Sequence, residues 1–284
     1  MENIVRTVYL QYLQTCLLTG RTPTFPQYTT LNEKLSINSG VLPGSTDLTN
    51  LKAYAIGNKG HQNVIGAEGI PKMEPVPHRA TDSSLYGQIP FVLRPITDDI
   101  SQVARQNYCL RREEIWDSVR YAAYYGRRID FTNTVPQMQL KTVNSDGTET
   151  TTPFVPSSSN LNPTAPSITS TGVNTVDGSY VAAVAAINLV ITEADATELL
   201  NVAKVIYGDQ DLAILSEILL LTGTDKVVSV TSTAGNFSMN ELIVAQAAAF
   251  VPAMVPVVFN NTGTTIALNV GATEPNLQLA STGS

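Results

Sequence analysis

GDQDLAILSEILLLTG, residues 208–223, is apolar from Leu212 to Leu221 except at Ser216 and Glu217. A run of this kind reads as a strand buried on both faces. Strand alternation puts Glu217 on the face of Ala213, Leu215, Leu219 and Leu221, while Leu212, Ile214, Ile218 and Leu220 take the other. Neither face is polar, so Glu217 is expected to be at least partly buried. A buried carboxylate without a partner is costly. The second half of the chain offers only Lys204 and Lys226 as cations. Arg111, Arg112, Arg120, Arg127 and Arg128 cluster on a predicted ribbon in the first half. An arginine fork binds a carboxylate through two hydrogen bonds. The expectation is an ion pair between Glu217 and one of these five arginines, joining the two halves. The alternative is a carboxylate that accepts backbone N–H groups at a bulge.

The flanks of this strand read as a helix on one side and hairpins on the other. TEADATELLNVAKVIYG (192–208) has Thr192 and Asp195 at capping-box spacing and Gly208 as a stop, which predicts a helix to about Ile206. It follows the apolar run YVAAVAAINLVI (180–191). Beyond the opening stretch, TGTD reads as a turn and VVSVTST as a hairpin partner. LIVAQAAAFVPAMVPVVF (242–259) is uncharged over nearly the length of a bilayer span. Pro252 and Pro256 each remove a backbone donor and Gln246 is polar, which argues against a span. Ser238 and Glu241 are spaced as a capping box, so the reading is a helix to about Phe250 and an extended Met254–Phe259. VPVVFNNTGTTIALNVG (255–271) closes the chain as a hairpin around Asn260–Gly263.

The first half reads as strands and loops. LKAYAI (51–56) is a strand running into a loop over 57–81, kept extended by Pro71, Pro75 and Pro77. NYCLRREEIWDS and VRYAAYYGRRIDF (107–131) pair as an antiparallel ribbon, with Val119, Tyr121, Ala123 and Tyr125 on one face. MQLKTVNSDGTETTTPF (138–154) is a hairpin turned by Asp146-Gly147. Residues 155–178 are rich in Ser, Asn, Pro and Thr and read as an exposed connector. The resulting division is an N-terminal helical arm (1–22), a β-rich first half (23–154), the connector (155–178), and a β-rich second half (179–284) packed on the first.

The N-terminus does not read as a signal peptide, because Glu2, Gln11 and Gln14 interrupt it. Its apolar residues fall in pairs every four residues up to Gly20, the beat of an amphipathic helix. Ile4, Val8, Tyr12 and Leu13 lie in those pairs and are the candidates for docking a partner subunit. Only 14% of the 284 residues are charged, against about 25% in an average soluble chain. A surface so poor in charge suits a protein covered by neighbouring subunits. The net charge of −7 is uneven: residues 142–284 hold two lysines against twelve acids. Nothing resembles a basic nucleic-acid tail. Cys16 and Cys109, far apart among apolar neighbours, read as reduced packed thiols of a protein assembled in a cytoplasm.

No catalytic constellation emerges. His61 and His78 are the two histidines, and neither has metal-ligand spacing to further ligands, so no metal or cofactor is expected. Gly57, Lys59 and Gly60 follow a strand but lack the phosphate-loop pattern. G-x-S-x-G is absent. The acids at 98, 99, 113, 114 and 117 sit beside arginines and read as salt-bridged faces.

LKAYAIGNKGH (51–61), LSEILLLTG (215–223) and ALNVGATEPN (267–276) resemble segments of structural tail proteins of tailed bacteriophages. These include tail-collar fibre N-terminal domains and T-even-like baseplate wedge subunits. The resemblance implies an antiparallel β-sandwich-like scaffold in a virion tail, without an enzymatic role. The fold expectation is therefore mainly β with a few helices, plus the N-terminal amphipathic helix. The expected work is binding to other tail or baseplate subunits and to copies of itself, without nucleic acid or a membrane span, after assembly in the host cytoplasm. Alternatives are a neck, collar or capsid-associated protein, or a glycan-binding or depolymerising receptor-binding protein.

Overall fold

The computed structural model describes residues 5–6, 8–19, 22, 43–44, 46–144, 146–155, 174–232, 235–257 and 262–279. In chain order the elements are β1 (Val5–Arg6), α1 (Val8–Thr19), β2 (Asn50–Gly57), β3 (His61–Ile65), β4 (Pro71–Pro75), β5 (Gln88–Ile89) and β6 (Val92–Pro95). Then come α2 (Gln102–Arg105), β7 (Tyr108–Trp116), β8 (Val119–Arg128), β9 (Gln137–Val143), β10 (Glu149–Pro153) and β11 (Asn174–Ile191). The chain ends with α3 (Glu193–Tyr207), β12 (Ile214–Ser232), β13 (Gly235–Pro256) and β14 (Thr264–Leu279). The protein is mainly β, with antiparallel sheets and few helices.

Two compact units form, and they do not follow the halves of the sequence. One comprises residues 1–129 and 190–265, the other 130–189 and 266–284. Residues 174–178, at the end of the expected connector, are already part of β11, while 156–173 lie outside the described residues.

In the first unit the sheet order is β1-β13-β12-β2-β8-β6, with β5 on β2 and β7 on β8. Arg112 of β7 lies 3.5 Å from Glu241 of β13, although these strands are not hydrogen-bonded neighbours. The sheet therefore curls over itself in a sandwich-like way. Its core holds Tyr54, Ile56, Phe91, Leu110, Tyr124, Leu219 and Phe250. β12 is buried on both faces from Leu215 to Thr224, as its composition requires. Helix α3 begins at the Thr192–Asp195 capping box and ends at Gly208, whose φ of 78° suits glycine. Its buried stripe, Leu199, Val202 and Ala203, recurs at helical spacing.

Three expectations fail here, each for a tertiary reason. TGTD is not a turn, because β12 continues through it and pairs with β13 out to Ser232↔Gly235. A register shift between Thr222 and Thr224 absorbs the glycine, and Val244 opposite adopts a φ of 48°. Gly223 packs on Leu242, where a Cβ would come within 2.8 Å. Residues 239–250 are strand, not helix. Ser238 faces Ser229 and Glu241 faces Lys226 across the ladder, so neither caps anything. The alanines at 247–249 favour helix, but intrinsic propensity is a weak determinant, and pairing with the leucines of β12 overrides it. β13 and β14 also do not form a hairpin, since β13 pairs with β12 and β1 while β14 pairs with β11.

The 57–81 loop is more ordered than expected. β3 and β4 form a two-stranded antiparallel arm, with Pro71 and Pro75 at the ends of β4.

In the second unit the sheet order is β10-β9-β11-β14. The β9–β10 hairpin forms as expected. Gly147 takes a φ of 82°, and Asp146 Oδ1 accepts the Thr148 N–H at 2.9 Å. β11 pairs antiparallel with β9, placing Val181 opposite Leu140 and Ala183 opposite Met138.

Candidate functional site

Glu217 lies on β12 beside a register shift between Leu215 and Glu217, opposite Gly57 of β2. It is 1% exposed. Among the described residues no arginine reaches it. Its Oε1 accepts the backbone N–H of Gly87 at 2.7 Å and of Lys59 at 3.2 Å. Its Oε2 accepts the N–H of Tyr86 at 3.0 Å and lies 2.9 Å from His78 Nε2. The alternative reading thus describes the site: a carboxylate at a bulge, filled by main-chain donors. The donors come from the distant 57–87 segment rather than from β12 itself.

Two glycines make the space. The carboxylate folds back over Gly57, where a Cβ would stand 2.4 Å from Oε1. Gly60 donates its N–H to Ser216 Oγ at 3.0 Å, and a Cβ there would lie 2.4 Å from the Ser216 carbonyl oxygen. Gly60→Ala is expected to lower stability by about 1–3 kcal/mol, because the clash is with backbone. An unchanged urea midpoint would mean that this close approach is not needed.

His78 is packed between two rings. Tyr86 stacks on one face at 4.1 Å and Phe250 on the other at 3.9 Å, both within 8° of parallel. Nδ1 is 3.4 Å from Asp82 Oδ2, outside hydrogen-bond geometry. Burial alone pushes the Glu217 carboxyl up. The hydrogen bonds from His78 and the amides of Gly87, Tyr86 and Lys59 outweigh it and hold the group below its ordinary 4.5. A carboxylate–imidazole pair is the orienting half of a nucleophilic triad, but here the imidazole nitrogens face two carboxylates and no hydroxyl or thiol nucleophile. A cavity of about 150 Å3 adjoins the pair, lined by Pro75, Val76, Pro77, Phe250 and Pro252. The arrangement fastens the 57–87 segment to β12.

The five ribbon arginines take other acids. Arg127 pairs with Asp195, Arg128 with Asp225, and Arg112 with Glu241. These acids belong to the second half, so arginines do join the halves, though not through Glu217. Arg111 is buried against Asp99 at 3.1 Å, and Arg120 lies 3.9 Å from Glu113. Asp99 also accepts from Arg105 and from Tyr124 Oη. Arg111, Arg105, Tyr124 and Asp99 satisfy one another in the sheet, and Arg120 and Glu113 meet nearer the surface. Glu217 instead faces backbone amides, which a search for opposite charges overlooks.

On α1, Leu13 and Cys16 are buried, and Tyr12 and Leu17 face outward. Ile4 lies outside the described residues, as does the Val8 side chain. β1 pairs Val5 with Phe250 and Arg6 with Ala249, so the arm enters as a short edge strand before the helix. Cys109 is buried, which pushes its thiol up to about 12 and leaves it inert. Among the described residues no group of three or more His, Cys, Asp or Glu is placed to hold a metal ion. Nor is any described helix long and apolar enough to cross a membrane.

The chain belongs to a family of unknown function, DUF7208, whose model matches residues 1–283. No curated protein and no solved structure matches it.

Proposed function

We propose that this chain is a non-enzymatic structural protein of a tailed-bacteriophage virion, a baseplate or tail-fibre-attachment subunit that works through protein–protein contacts. The observation that carries the reading is where two of the tail-protein-like segments fall. LKAYAIGNKGH and LSEILLLTG form adjacent paired strands, from Glu217↔Gly57 to Gly223↔Asn50, and their shared contacts build the Glu217 site. Two of the three segments thus form one structural element, and ALNVGATEPN falls in β14 of the second unit. The low charge content supports a surface meant for neighbours. The described His78–Glu217 pair has a scaffold task rather than a reactive one.

Purified particles of the phage that encodes the chain provide the test. Mass spectrometry is expected to find it in stoichiometric amount, and labelled antibody to mark the tail. Its absence from washed, intact particles would remove the proposal.

A further inference from the structure

Neighbouring residues of a regular strand point to opposite faces, yet Ser216 and Glu217 both border the cavity of about 150 Å3. The register shift between Leu215 and Glu217 brings them to one side. Most of the remaining wall is apolar: Val76, Phe250, Pro75, Pro77 and Pro252. The three prolines are exposed, so the cavity reaches solvent past them.

The polar part of the wall is not fully used. Glu217 has no acceptor capacity to spare, because its oxygens already take the amides of Lys59, Tyr86 and Gly87 and the imidazole of His78. Ser216 is 2% exposed. Its Oγ accepts the Gly60 N–H, but its own hydroxyl proton has no acceptor among the described residues. The His78 side chain is 6% exposed and also borders the cavity. Its Nε2 must carry a proton to bond the Glu217 carboxylate, so in the neutral ring Nδ1 offers a lone pair. That Nδ1 is buried without a hydrogen-bond partner. Asp82 Oδ2, 3.4 Å away, is itself an acceptor and cannot satisfy it. Ser216 and His78 thus bring an unspent donor and an unspent acceptor to an otherwise apolar cavity. Buried groups left unpaired cost free energy. One hydroxyl answers both, accepting from Ser216 and donating to His78. A water needs two to four polar partners, which most of this wall does not offer. A cavity of this volume holds one benzene-sized ring.

We propose that this cavity binds a single six-membered ring bearing a hydroxyl, a ligand of the phenol class, with the hydroxyl between Ser216 and His78 and the ring against Val76, Phe250 and the prolines. The role is binding, and it does not rest on the virion reading. The same chemistry comes from a free small phenol or from the side chain of a tyrosine on a neighbouring chain.

The test is an NMR titration of the full chain with phenol and, separately, with benzene. Phenol is expected to bind roughly tenfold or more tighter than benzene, because only phenol pairs the two buried groups. Nuclear Overhauser contacts should join the phenol ring to the Val76 methyls and the Phe250 ring. Ser216→Ala removes the donor and should bring phenol down to the affinity of benzene, with benzene unchanged. If that variant loses its native circular dichroism, the phenol–benzene ratio and the contacts on wild type decide the matter alone. N-acetyltyrosinamide separates the two sources. Binding as tight as that of phenol assigns the cavity to a neighbour's tyrosine, and binding of phenol alone assigns it to a free small molecule. Phenol that fails to bind up to its solubility limit overturns the proposal. So does benzene that binds equally well, a set of contacts elsewhere on the protein, or a folded Ser216→Ala variant that keeps the preference for phenol.

Discussion

Glu217→Ala is expected to lose about 3–5 kcal/mol of folding stability, the range for removing one partner from a buried charged network. The loss has two sources. The substitution strands three backbone N–H donors, of Lys59, Tyr86 and Gly87, which have little water to turn to. It also leaves His78 wedged between Tyr86 and Phe250 with nothing on Nε2. Glu217→Gln preserves the shape but puts an NH2 group against main-chain donors. It should therefore fall between wild type and alanine rather than rescue the protein. Acid should imitate the alanine variant. Because the folded-state carboxyl is held below 4.5, its contribution is complete above 4.5 and is lost as pH falls through the lower folded value. Urea titrations of wild type and Glu217→Ala should differ most at neutral pH and converge at the acidic end. A difference that does not change with pH, or a loss below about 1 kcal/mol, would mean that the carboxylate is not what holds the 57–87 segment.

What the sequence made legible was local. Thr192, Asp195 and Gly208 bracket α3 because capping is a contact among neighbours in the chain. Asp146-Gly147 marks the β9–β10 turn for the same reason, and the alternation of 119–125 marks β8. The misreadings are non-local. Ser238 and Glu241 have capping-box spacing, but the length of β12 opposite decides that segment, and β12 lies on the far side of the turn. β14 pairs with β11, far upstream in the chain, rather than with β13 just before it. Glu217 stood out as an isolated acid, so its burial could be inferred from the run around it. Backbone N–H groups were one of the two readings for its partners, but the segment that supplies them could not be read, because backbone amides leave no mark in composition. The one available signal was the spacing of Gly57 and Gly60 after a strand, two positions where a close approach needs a missing side chain.

An arginine does join the two halves of the sequence, at Asp195 rather than at Glu217 as expected. Asp195 is buried and accepts from Thr192 N–H at 2.8 Å, Thr192 Oγ1 at 2.6 Å, Tyr108 Oη at 3.0 Å and the Arg127 guanidinium. One carboxylate therefore caps α3 and ties it to the β7–β8 ribbon. Thr192→Ala touches the cap and should lose only about 1 kcal/mol. Asp195→Ala should lose about 3–5 kcal/mol, because it also strands Arg127 and the Tyr108 hydroxyl away from water. The size of the step between these two variants separates the cap from the ion pair. Arg127→Ala should approach the Asp195→Ala loss, since it leaves the carboxylate without its counter-charge. The double variant should cost less than the sum of the singles by well over 0.5 kcal/mol, the limit for independent sites. Equilibrium unfolding of the four proteins closes the cycle. If the losses add, Arg127 and Asp195 act separately, and α3 is held by its buried stripe and by the contacts of Glu198 and Asn201 with β6 and of Tyr207 with Asn58.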